Sequence, residues 1–204
     1  GAARTATIGG GAVYFAVDKV IEKGKRIAAH MLEAAAADIE FGDGAFSVAG
    51  TDRKVKFTDV AKTAFNPMKL PADIEIGLYE TATWTTKTSN IPNTCHVCEL
   101  EIDPETGTIE LLRYTAVHDV GVEINPLLVG GQVHGGIAQA AGQALMEQIT
   151  YESETGQLLS GSFMDYAMPR AADLCNFDVG NHPVPTKTNP LGVKGAGECG
   201  TVGG

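Results

Sequence analysis

The sequence predicts an α+β chain that combines two long helices with antiparallel or mixed sheets. Three observations carry this expectation. Apolar residues recur at helical spacing in two separate stretches, roughly residues 11–36 and 126–145. Between them, from Ile76 to Val117, the period falls to two, the spacing of a half-buried strand. Strands and long helices do not alternate, which disfavours a doubly wound parallel sheet. All of 1–204 is expected to belong to one cofactor-scale domain. It is divisible near residue 75 into a helix-and-hairpin part (1–75) and a part with the meander, a glycine-rich helix and a terminal loop (76–204).

The first helix follows Gly9-Gly10-Gly11 and carries Val13, Ala16, Val17, Val20, Ile27, Met31 and Leu32 on one stripe, with Gly24 as its weak point. The small, polar Arg4–Thr7 stretch ahead of it suits either plain N-capping by Thr7 or a cradle for an anion. A hairpin is expected over residues 38–48, turning at Gly42-Asp-Gly44, and a brief helix after Thr58 as N-cap. Residues 66–73, with Pro67 and Pro71, read as a connector. Strands are then predicted over 78–86, 95–102 and 109–117, the last two joined by the turn Asp103-Pro-Glu-Thr-Gly107.

Asn125-Pro126 caps and opens the second long helix, since proline in the first turn has no N–H to waste. Gly130, Gly131, Gly135, Gly136 and Gly142 lie inside it, each costing about 1 kcal/mol relative to alanine. Close approach of a neighbouring element or a ligand is the expected compensation. A short hairpin is predicted around Gln148–Tyr151 and Leu158-Leu159. The proline-bearing 169–190 stretch reads as irregular.

Composition narrows the function. Hydrophobic content of 44% and charged content of 20% are globular values, and a formal charge of −10 disfavours nucleic acid and anionic membrane as partners. No run approaches the roughly 20 apolar residues of a membrane span. Cys95, Cys98, Cys175 and Cys199 do not form a disulfide framework. Cys95-His-Val-Cys98 resembles half of a zinc site but lacks a second half, so the cysteines are expected reduced and in the core. The chain opens without methionine and closes inside a glycine-rich run, so it reads as a piece of a longer protein.

That closing run, Gly192-Val-Lys-Gly-Ala-Gly-Glu-Cys-Gly200 and on to Gly204, places Lys194 and Glu198 among six glycines. It is either a mobile tail or a loop whose backbone approaches a ligand without a Cβ in the way. The phosphate-loop pattern is absent, the dinucleotide pattern GxGxxG fails because its strand-to-helix context is missing, and no serine or cysteine nucleophile pattern appears. The pair His118-Asp119, before Gly121, is taken as structural, because aspartate beside a turn mostly bonds local backbone.

Three ordered segments resemble the molybdenum-binding large subunit of the xanthine dehydrogenase, aldehyde oxidoreductase and aerobic carbon monoxide dehydrogenase family. They are residues 103–126, with Asp103-Pro-Glu-Thr-Gly107, Asp119-Val-Gly121 and Ile124-Asn-Pro126; Gly131-Gln-Val-His-Gly-Gly136; and Gly192 to Gly200. Ala3-Arg-Thr5 is similar to the family's Ser-Arg-Ser/Thr segment. The resemblance spans nearly the whole chain and implies a C-terminal portion of the molybdopterin-binding domain.

It implies that Glu198 lies beside molybdenum as general base, on the metal's hydroxyl ligand, in oxidation of an aldehyde, N-heterocycle or CO with water as oxygen source. It also implies that Gln132 and Gly131 lie near the pterin, and that the Lys194, Gly195 and Gly197 backbone lines the same cofactor. Thr5 would lie near the cofactor's nucleotide end. The cofactor implied is molybdopterin cytosine dinucleotide. Two-iron two-sulfur clusters and FAD would sit on partner subunits or domains, in a cytoplasmic dimer of heterotrimers. The family's subunit is several times longer, and its copper-loop cysteine lies in a segment with no counterpart here. The piece alone is therefore expected neither to hold the cofactor tightly nor to turn over. The alternative is a non-catalytic assembly or structural subunit that keeps the fold.

Overall fold

The computed structural model describes residues 3–204. The chain divides into two compact units, one comprising Gly9–Thr85 and the other Gly1–Ile8 with Thr86–Gly204.

In the Gly9–Thr85 unit, α1 (Gly10–Met31) buries Ile27, Ala28 and Ala29 against a small antiparallel sheet. That sheet comprises β1 (Ile39–Gly42), β2 (Ala45–Val48) and β3 (Lys54–Lys56). β1 and β2 are joined by a two-residue turn in which Asp43 and Gly44 both take positive φ, as a type I′ hairpin requires. α2 (Phe57–Ala64) adds Val60 and Ala64 to the core around fully buried Phe46.

Several expectations fail in this unit and in the few residues that lead into it, each for a local reason. α1 stops at Met31 and not near residue 36, because Glu33 takes φ +50°. The Ala34 N–H then donates to the Ala29 carbonyl at 3.0 Å and Glu33 N–H to His30, the two bonds of a Schellman closure. Thr7 does not cap α1: its hydroxyl donates back to the Ala3 carbonyl at 3.1 Å, within the single π turn Thr5–Gly9 that precedes the helix. Thr58 does not cap α2, which begins at Phe57 after Lys56 and has no side-chain cap.

Residues 78–86 form no strand. Their alternation reflects one-sided contact with α1, where Lys19 Nζ donates to the Thr81 carbonyl at 2.8 Å and Trp84 packs on Gly11 and Phe15. These contacts carry the unit past residue 75 to Thr85.

The other unit is built on β4 (Asn93–Ile102), β5 (Ile109–Asp119) and β6 (Phe177–Asn181). β4 and β5 are antiparallel with a bulge between Glu99 and Leu100, and β6 runs parallel to β5. The sheet is therefore mixed, and the expected irregular stretch 169–190 contains a strand. The β4–β5 turn is held by Asp103, whose carboxylate accepts from Glu105 N–H at 2.8 Å and Thr106 hydroxyl at 2.7 Å, with Gly107 at φ +74°.

α3 (Pro126–Leu145) lies on the inner sheet face, placing Val133 and Ile137 against Tyr114 and Ala116. The Asn125 side chain caps it by accepting from Leu128 N–H at 3.2 Å. The last turn, α4 (Cys199–Gly203), packs on α3, so the end of the glycine run is a folded helix turn. Cys199 is buried and Cys175 half-buried, but Cys95 and Cys98 are exposed on the edge strand β4, which corrects their expected place in the core. Among the described residues no helix is long and apolar enough to cross a membrane.

Candidate functional site

The site grows from the end of β5. After Asp119 the chain turns through Gly121 (φ +66°) and forms an antiparallel bridge with Val193, next to Gly192 (φ +68°). Val122 N–H donates to the Gly192 carbonyl at 3.0 Å and Lys194 N–H to the Val120 carbonyl at 2.8 Å. A Cβ at Gly121 would run into the Gly192 carbonyl oxygen, so glycine is required there by both conformation and contact. Asn189, buried, closes the preceding loop with both ends of its amide. Its Oδ1 accepts from Val193 N–H at 3.2 Å and its Nδ2 donates to the Val193 carbonyl at 2.8 Å. Asn90 Nδ2 donates to that same carbonyl at 3.2 Å.

The glycine run is thus anchored at its start. Its far end is anchored by α4, where Gly200 meets Gly136 of α3 so closely that a Cβ on either would strike the other's backbone. This is one of the compensations expected for glycines in α3, and Gly142, against Pro169 and Glu147, is the second. Gly130, Gly131 and Gly135 have nothing within 4 Å of where a Cβ would stand.

Glu198 stands at the N-terminal boundary of α4, exposed, and its side chain makes no capping hydrogen bond. It borders a cleft of about 430 Å³ together with Gly195 and Gly197. Arg4 and Thr7 come from the chain's start, and Thr86, Thr88, Ser89 and Asn90 form a hydroxyl- and amide-rich wall. Thr5 itself is exposed between Arg4 and Ala6 in the π turn.

Gln132 and Lys194 line a second cleft of about 440 Å³, otherwise mainly apolar, with Ile124, Leu128 and Val129. Gly197 borders both clefts. The structure therefore brings Glu198, Gly195 and Gly197 together, places Gln132 across the loop from them, and leaves Gly131 on the open face of α3.

Lys194 is held by Asp119. Its ammonium lies 2.5 Å from Asp119 Oδ2, with side chains only 10% and 11% exposed. The other carboxylate oxygen, Oδ1, accepts the N–H groups of Gly121 and Val184, both at 2.9 Å. Burial pushes the Asp119 carboxyl upward, but the Lys194 hydrogen bond, the two backbone donors and the Lys194 charge together bring it down to about 2. Asp119 is structural, as its place beside a turn implies, and the Lys194 ammonium is already committed.

Sequence reasoning missed the Thr86–Asn90 wall and the Asp119–Lys194 pair. The wall was legible only as a run of Thr, Ser and Asn just past the end of a falsely predicted strand, and the pair spans 75 residues of sequence.

Residues 1–175 match the family model described as the molybdopterin cofactor-binding domain. The chain belongs to this family. It is 37% identical over 201 residues to the 6-hydroxypseudooxynicotine dehydrogenase complex subunit gamma of Paenarthrobacter nicotinovorans, covering 98% of this chain and 25% of that protein. It is 34% identical over 202 residues to the carbon monoxide dehydrogenase large chain of Afipia carboxidovorans, covering 98% of this chain and 25% of that one. Quinoline 2-oxidoreductase from Pseudomonas putida 86 superposes with a TM-score of 0.90 at 36% identity, over 99% of this chain and 26% of that chain.

The chain spans about a quarter of the length of these relatives. The α+β architecture is that of the molybdenum hydroxylase large subunits. The family-model match includes Thr5, Gly131 and Gln132 but stops short of the glycine run, which the longer alignments with the relatives reach.

The residues present fit the family's cofactor. Among the described residues no group of three or more His, Cys, Asp or Glu is placed to hold a metal ion. A metal at this site would be held through the cofactor's own donor atoms. Glycine backbone at Gly195 and Gly197 permits close approach of a bulky ring system, and the Arg4 guanidinium with neighbouring hydroxyls suits phosphate oxygens.

Proposed function

We propose that this chain is part of the large subunit of a molybdenum hydroxylase and that Glu198 is its general base. The observation that carries the reading is the geometry of Glu198. It is a carboxylate without a capping bond, on a glycine run anchored at both ends, facing a cleft large enough for a ligand. A base must be within hydrogen-bond reach of the proton it takes and free to accept it. The Glu198 carboxylate accepts the proton of a water-derived hydroxyl as that oxygen attacks the electrophilic carbon of an aldehyde, an N-heterocycle or CO.

When bound, the molybdenum cofactor supplies the two-electron redox chemistry. The protein's part is orientation. Gly195 and Gly197 offer backbone to the cofactor, Gln132 faces its pterin from the other side of the loop, Gly131 beside it offers open backbone on α3, and Lys194 contributes its backbone alone. Thr5 and Arg4 face its nucleotide end, taken to be cytosine dinucleotide. The substrate range follows that of the relatives, which include a quinoline 2-oxidoreductase and a carbon monoxide dehydrogenase. Electrons would leave through two-iron two-sulfur clusters and FAD on partner subunits, in a cytoplasmic dimer of heterotrimers.

The test is oxidation of an aldehyde and N-heterocycle panel by the holoenzyme in ¹⁸O-labelled water. The reading expects stoichiometric molybdenum and product labelled from water. Oxygen drawn from O₂, or an active preparation free of molybdenum, contradicts it.

A further inference from the structure

We infer that the buried Asp119–Lys194 ion pair is a positioning device for Glu198. It fixes the start of the glycine run so that the carboxylate four residues later stays aimed into the cleft. This rests on the general-base reading of Glu198.

Gly195 and Gly197 have no side chains to anchor the segment on which Glu198 rides, so its position is inherited from the two ends. The far end is set by the Gly200–Gly136 contact and buried Cys199, whose thiol donates to the Ala196 carbonyl at 3.1 Å. The near end is Lys194. Four residues of chain span at most about 14 Å fully extended, so a displacement at Lys194 has little chain in which to dissipate.

Lys194 is tied on both sides. Its N–H bonds the Val120 carbonyl at 2.8 Å and its ammonium bonds Asp119 Oδ2 at 2.5 Å. Asp119 cannot swing to follow a moving lysine, because its Oδ1 is held by the N–H groups of Gly121 and Val184. The pair therefore joins three segments at one carboxylate: the end of β5, the irregular stretch after β6 at Val184, and the glycine run.

A buried ion pair is a poor choice for stability alone, because desolvation offsets much of the attraction and apolar residues of similar volume do as well. What it supplies is a unique register. In a backbone rich in glycine, register is the property most easily lost.

The experiment compares Lys194→Met, Asp119→Asn and the double variant Asp119→Asn/Lys194→Met in the holoenzyme, beside Glu198→Gln. Thermal stability, molybdenum per chain, kcat, KM and amide hydrogen exchange over residues 195–199 are measured in each. A misplaced catalytic group costs on the order of 10- to 100-fold. Each single variant is accordingly expected to lose about that factor in kcat, with KM and molybdenum content near wild type and faster exchange at 195–199.

The double variant buries no unpaired charge, so its stability returns toward wild type while kcat stays low. If kcat recovers along with stability in the double variant, the pair is merely structural and the inference is overturned. If Glu198→Gln loses turnover while the pair variants keep wild-type kcat and exchange, the positioning role alone falls. If Glu198→Gln keeps wild-type turnover, the general-base reading falls first, whatever the pair variants do.

Discussion

Gly24 sits in the middle of α1, where glycine ordinarily costs about 1 kcal/mol relative to alanine. The structure gives the reason: the ring of fully buried Phe46 lies over it, and a Cβ would strike the ring's far edge. Phe46 is itself packed among Phe41 and Phe57, so it cannot yield cheaply. Gly24→Ala is expected to lower stability by about 1–3 kcal/mol, the usual range for overpacking, and a denaturant titration would reveal a gain instead if the ring gives way.

Asp119 belongs to the same scale. Its carboxyl lies at about 2 in the fold against an ordinary 3.8. A depressed carboxyl contributes stability that is present above the ordinary value and is lost as pH falls toward the folded value. Asp119 is therefore expected to stabilise by on the order of 2 kcal/mol above pH 4. The stability gap between wild type and Asp119→Asn should shrink as pH falls from about 4 to 2, and a gap constant over that window would contradict the assignment.

At the scale of elements, close contacts explain what composition left open. α1 ends in a Schellman closure with glutamate, not glycine, at the left-handed position Glu33. Relief of that strain makes Glu33→Gly a stabilising change of roughly 0.5–1 kcal/mol, readable as a raised Tm. The α3–α4 crossing makes the opposite demand. Gly136→Ala should loosen α4 and speed amide exchange at residues 199–203, whereas Gly131→Ala, with open space around it, should leave them unchanged.

The two long helices, the first hairpin and the β4–β5 pair were legible in the sequence, because each writes its own period and turn residues locally. Asn125 and Asp103 act as their types predict. What stayed illegible depends on partners far away in sequence. β6 is a strand only because β5 lies beside it, residues 78–86 alternate because α1 does, and α1's end hangs on one φ angle. The candidate site divides in the same way. The glycine frame marked Glu198 out, but nothing near Lys194 announces that Asp119 neutralises it.

At the scale of the whole molecule, the chain spans about a quarter of its relatives and exposes large apolar side chains, among them Met164 (92%), Leu127 (84%) and Phe163 (82%). The chain purified alone is expected to carry far less than one molybdenum per molecule, and a stoichiometric content by metal analysis would contradict this.

The central claim, that Glu198 is the base, is met most directly by the rate of substrate-driven reduction of Glu198→Gln holoenzyme matched to wild type in molybdenum content. General-base catalysis contributes about 10²- to 10⁴-fold. The account predicts a loss within or above that range, and a rate within about threefold of wild type would contradict it.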